Sequence, residues 1–174
     1  MKSLLSSNAL RWMTLVGICV LASVIESTAT PLVETKSLSF AAAQSVAEAT
    51  LEAGRVKSCA IAVAVVDAAG IALVQLRLDG GTQQFVEGAL AKAWTAVNLR
   101  DSTRALVESI EKGVGDSSQL PNVEGALLLM GGLPLRAGVD IVGGIGVAGC
   151  PDGPDDDALA HRGAKAFDEL LKAR

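Results

Sequence analysis

The chain has 174 residues, 50% of them hydrophobic and 20% charged, with a formal net charge of −4. That is enough apolar material for the core of one domain, and the acidic balance excludes the basic face on which nucleic-acid binding depends. With no tyrosine, 3% aromatic residues and 18 glycines, the core must be built from Ala, Val, Leu and Ile on closely approaching backbones.

Lys2 and Arg11 precede an apolar run over 12–25, followed by the small residues Ser27, Thr28 and Ala29. This is the layout of a removable export signal over 1–29. The run is shorter than the about 20 residues a membrane-crossing helix needs. Cleavage after Ala29 fits, and so does an earlier cut after Ala22. Ile18 before Cys19 does not suit a lipidated cysteine. The expected product is secreted or periplasmic, with no membrane segment once the signal is removed. Its remaining cysteines, Cys59 and Cys150, would then reside where disulfides persist.

Ser39 is placed to cap a helix running to Gly54, with Phe40, Ala43, Val46, Ala47, Thr50 and Leu51 at helical spacing. Two apolar runs, 59–66 and 71–78, flank the turn Asp67-Ala68-Ala69-Gly70 and predict a hairpin. Phe85, Ala89, Ala93, Ala96 and Val97 mark one face of an alanine-rich second helix. Ser102 caps a third helix to about Glu111, and 113–122 is a surface loop. A short strand is expected over 125–130, a turn at Gly131-Gly132-Leu133-Pro134, and a long strand over 141–148. The last helix opens at Pro154-Asp155-Asp156-Asp157, whose carboxylates suit a helix N-terminus, and runs through Leu159, Gly163, Ala166, Phe167 and Leu170. This order predicts an α+β domain with a mostly antiparallel sheet.

Several motifs invite chemistry and have a plainer explanation. Gly144, Gly146 and Gly149 fit G-x-G-x-x-G, but they fall within a late strand, Pro151 follows, and too little chain remains for a nucleotide fold. They read as a strand closely overlaid by a helix. His161, the single histidine, lies nearly opposite the apolar face of the last helix and should face solvent. Asp155, Asp156 and Asp157 point in different directions on a helix and lack calcium-loop spacing. Lys92 and Thr95 share a helix face, where an ammonium and a hydroxyl can meet an anionic ligand; the plainer alternative is an exposed lysine and a back-bonded threonine.

Taken together, Leu38-Ser39, the hairpin 64–70, Arg77-Leu78-Asp79-Gly80, the helix motif 91–96, Gly131-Gly132-Leu133-Pro134 and the glycine-rich 141–149 resemble, in order, the GlcG/HbpS-like family of small haem-binding and ligand-binding domains. The similarity spans about 38–171. It implies a profilin-like fold: about five antiparallel strands flanked by helices, the first strand beside the last. By that strand order Cys59 comes near Cys150, and a disulfide between them is expected. The resemblance implies haem as a cofactor or cargo and a homo-oligomer as the assembled form. Its helix motif maps the ligand pocket to Thr95 and Lys92, with Arg77 and Lys92 as cations for porphyrin propionates. A family histidine near the first helix has no counterpart here, since 38–54 contains none.

Three functions compete. One is an exported haem- or tetrapyrrole-binding protein, associated with haem breakdown or iron handling. Another is an enzyme acting on a small organic acid through Lys92, Arg77 and Asp67, although no catalytic set is assigned. The third is an oligomeric sensor-partner module docking on another exported protein.

Overall fold

The computed structural model describes residues 33–173, so the signal expected over 1–29 lies outside the described residues. Helix α1, Phe40–Val56, starts where the Ser39 hydroxyl accepts the Ala42 N–H, a cap worth about 1 kcal/mol. Its buried stripe of Ala43, Val46, Ala47 and Thr50 follows the helical period. Contrary to expectation, Gly54 does not stop the helix. A Cβ there would lie 2.4 Å from Cδ1 of Ile61, so the glycine makes room for the entry to the sheet. The helix continues to Val56, and the left-handed residue comes four positions after the glycine, at Ser58, with φ 59°.

Strands β1, Ala62–Asp67, and β2, Ala72–Arg77, form the expected hairpin. Asp67 shapes its turn by accepting the N–H groups of Ala69 and Ile71 on Oδ1, the usual work of Asp at such a position. Strands β3, Gly132–Ala137, and β4, Asp140–Ala148, complete a sheet of order β2-β1-β4-β3 in which every neighbouring pair is antiparallel. The first strand therefore lies beside the last.

The sheet has four strands where about five were expected. The expected strand at 125–130 is irregular, and the segment read as a turn, from Gly132 through Pro134, is instead part of β3. Pro134 is tolerated because β3 is an edge strand, where a missing N–H need cost no ladder bond. Glycines in the left-handed region at Gly125, φ 81°, and Gly131, φ 117°, break the extended backbone at both ends of 125–130.

Alternation along β1 and β4 divides the core in two. Val63, Val65, Ile145 and Val147 point to one face, where α1 and helix α4, Gly153–Lys172, cover them with Val46, Leu159 and Phe167. Ala62, Ala64, Val66 and Ala148 point to the other, covered by helix α2, Gln83–Asn98, through Ala89, Ala93 and Val97. Helix α3, Thr103–Glu111, is capped as expected by Ser102, whose hydroxyl accepts the Ala105 N–H. Among the described residues, no helix is long and apolar enough to cross a membrane.

Candidate functional site

The α2 face is built for backbone proximity. A Cβ on Gly146 would lie 2.0 Å from the Ala89 carbonyl oxygen, and one on Gly144 would lie 2.6 Å from Cγ2 of Val97. These glycines therefore let α2 lie directly on β4, as the strand-under-helix reading holds. Close seating of α2 opens a cleft on its flank, between the helix, the end of β4 and the irregular segment 125–130. The cavity has a volume of about 420 Å³, with walls that include Phe85, Gly88, Leu127, Leu129 and Ala148. That lies within the about 300–1,000 Å³ typical of small-molecule sites.

Lys92 and Asp156 form the cavity's polar corner. Both are buried, with 4% and 6% side-chain exposure, and the ammonium lies 2.9 Å from Asp156 Oδ2. Lys92 also donates to the Val147 carbonyl at 2.8 Å, while Asp156 Oδ1 accepts the Cys150 N–H at 2.9 Å. A buried charge must be paired and hydrogen-bonded to be tolerated, and here both partners are. Lys92 thus holds the N-terminus of α4 against the end of β4. It is not an exposed lysine: two of the three N–H donors of its ammonium are committed within the fold.

Thr95 lies on the same helix and has no exposed surface. Its hydroxyl donates to the Ala91 carbonyl at 2.7 Å and accepts the Leu127 N–H at 2.8 Å. The back-bonded threonine is what the structure shows, with a second bond that spacing alone did not foretell. Arg77 is exposed on β2 and gives its guanidinium to the Gly81 carbonyl. Asp67 and Arg77 sit at opposite ends of the hairpin, since Arg77 pairs with Ala62 and Asp67 ends β1. At about 3.3 Å per residue they are roughly 17 Å apart along the strand. The structure brings Lys92 and Thr95 to one helix and leaves Arg77 and Asp67 apart from them and from each other.

Cys59 and Cys150 are disulfide-bonded, with Cα atoms 5.1 Å apart, and Cys150 borders the cavity. The bridge closes a loop of 91 residues, and loops of that order gain about 4–5 kcal/mol in the chain-entropy account. The three aspartates of α4 serve three different cations: Asp155 pairs with Lys57, Asp156 with Lys92 and Asp157 with Arg104. Helix electrostatics was therefore only part of their explanation. His161 is exposed, 63% by side chain, and approaches Asp157 at 3.6 Å.

Phe85, Gly88, Leu127 and Leu129 were not anticipated as cavity residues. A glycine inside an alanine-rich helix was the available signal for Gly88. Three consecutive leucines at 127–129, with Leu129 57% exposed, were the signal for the facing wall. A second groove, of about 390 Å³, lies between Leu38, Val142, Phe167 and Leu171, and includes none of the expected ligand residues.

Residues 38–165 match the model of the family described as haem degrading protein HbpS-like. The chain is 28% identical over 135 residues to an uncharacterized 15.0 kDa protein from the dhaT-dhaS intergenic region of Citrobacter freundii, covering 77% of this chain and 94% of that protein. The crystal structure of a double mutant of HbpS from Streptomyces reticuli is similar at a TM-score of 0.73 and 35% identity, covering 83% of this chain and 96% of that one. The haem complex of PduOC is similar at a TM-score of 0.68 and 26% identity, covering 75% and 94%. With the four-stranded sheet, its helical covers and a match across most of the chain, this protein belongs to the HbpS-like family.

Proposed function

We propose that this protein is exported and binds haem or a related tetrapyrrole in the cavity between α2 and segment 125–130, in a role connected with haem breakdown or iron handling. The observation that carries the reading is the cavity of about 420 Å³ beside the helix motif 91–96, whose wall is largely apolar with Gln84, Glu87, Lys92 and Asp156 as its polar members, in a chain of the HbpS-like family with a solved haem complex among its structural relatives. Phe85, Leu127, Leu129 and Ala148 suit the flat apolar face of a porphyrin. Bound haem would supply the iron and its redox chemistry; the chain's own residues would desolvate the macrocycle and fix its orientation. The lone histidine is on α4 and does not border this cavity, so affinity here rests on burial more than on an imidazole ligand. Export rests on the N-terminal sequence pattern, and self-association rests on family likeness.

Hemin titration tests the reading. The protein should give a saturable, shifted Soret band, and Gly88→Leu, which projects a side chain toward Leu127 and Ala148, should weaken it. A spectrum of free or non-specifically adsorbed hemin would reject haem binding.

A further inference from the structure

The cavity's outer wall is tied down very unevenly. Downstream, Gly131 accepts the Val147 N–H at 2.9 Å and Gly132 donates to the Thr103 hydroxyl at 2.9 Å. A Cβ on Gly131 would lie 2.7 Å from the Val147 carbonyl oxygen, so this end is fixed and crowded. Upstream, the Ala126 N–H reaches only Val123, within a local turn. Between these ends stand Leu127, Leu128, Leu129 and Met130, without regular structure. Among the described residues, the hydrogen bond that joins the backbone of 127–130 to the rest of the fold is the one from the Leu127 N–H to the Thr95 hydroxyl, at 2.8 Å.

We propose that segment 125–131 is a flap hinged at its two left-handed glycines, and that Thr95 is the positioning residue that pins it over the cavity. Three features fit together. Thr95 has both functions of its hydroxyl in use, toward Ala91 and Leu127, and no exposed surface, which suits a pin and does not suit a ligand contact. The Leu127 side chain faces α2 where the helix has no side chain of its own: a Cβ on Gly88 would come 3.8 Å from Leu127 Cδ2. Leu129 keeps an exposed apolar side chain at the cavity edge, where an apolar ligand would cover it. Without the pin, a stretch with so few backbone hydrogen bonds opens independently of the rest of the fold.

The grip on haem rests on the function proposed above; the pin does not. The test compares Thr95→Val, which removes the hydroxyl at nearly constant shape, with Thr95→Ser, which keeps it. In Thr95→Val, the amide of Leu127, the hydrogen-bonded one of this stretch, should exchange about tenfold faster, while the Ile145 amide in the sheet exchanges at the wild-type rate. Hemin should dissociate about tenfold faster from the same variant, and Thr95→Ser should restore both. Leu127→Pro removes the donor from the loop side and leaves α2 untouched, so it should speed limited proteolysis within 126–130 even if Thr95→Val folds poorly. Unchanged exchange at Leu127 in Thr95→Val, together with unchanged proteolysis within 126–130 in Leu127→Pro, overturns the pin. Faster exchange with unaltered hemin dissociation overturns the flap's hold on the ligand. Absence of hemin binding by wild type rejects the proposed function, and the exchange data still decide the pin.

Discussion

The two faces of the sheet reach the same degree of burial by opposite means. Toward α1 and α4, branched and aromatic side chains such as Val46, Ile61, Ile145 and Phe167 pack together between the helices and the sheet. Toward α2, alanines and glycines bring backbone against backbone, as at Ala89 over Gly146. A side-chain interface can relax when one group changes size, because rotamers shift. A backbone interface has no such freedom, and its stiffness gives the cavity beside α2 one fixed wall. The opposite wall, over 125–131, is irregular. The site therefore pairs a rigid floor with a lightly tethered cover.

That contrast can be broken most directly at Gly146. Gly146→Ala should cost more than about 3 kcal/mol in urea unfolding, since the added carbon meets a carbonyl oxygen at 2.0 Å; a tolerated substitution would mean α2 sits further from β4 than described. Next is the ion pair under the cavity. Lys92→Met should destabilise by about 3 kcal/mol by leaving Asp156 buried and unpaired, and Asp156→Asn in the same chain should recover much of the loss while still accepting the Cys150 N–H. If the double variant is no better than the single one, the pair is not what Lys92 contributes. The smallest effect has the opposite sign. Gly88→Ala, whose Cβ would come no closer than 3.5 Å to Ala148, should raise stability by about 0.5–1 kcal/mol through a stiffer α2, read as a small rise in melting temperature.

Much of the fold was legible in the chain. The caps at Ser39 and Ser102, the hairpin around Asp67 and the burial of the late glycines each follow from a local pattern whose structural meaning is nearly unique. The strand error at 125–130 has a physical cause. An apolar run can become a strand only if a sheet edge is open to it, and β3 occupies that edge beside β4. Gly54 misled for a related reason: its small size answers to Ile61, which approaches from outside the helix.

At the site, the sequence marked the right helix without revealing what its residues do. Spacing puts Lys92 and Thr95 on one face of α2, because helix geometry is local. That the ammonium would be taken up by Asp156, 64 residues away, and the hydroxyl by the Leu127 amide, 32 residues away, depends on which distant segments pack there. By itself, then, the sequence determined the element order, the small-residue face and the family; the tertiary structure alone decided which polar groups were already partnered, because desolvation and pairing are set by neighbours remote in the chain.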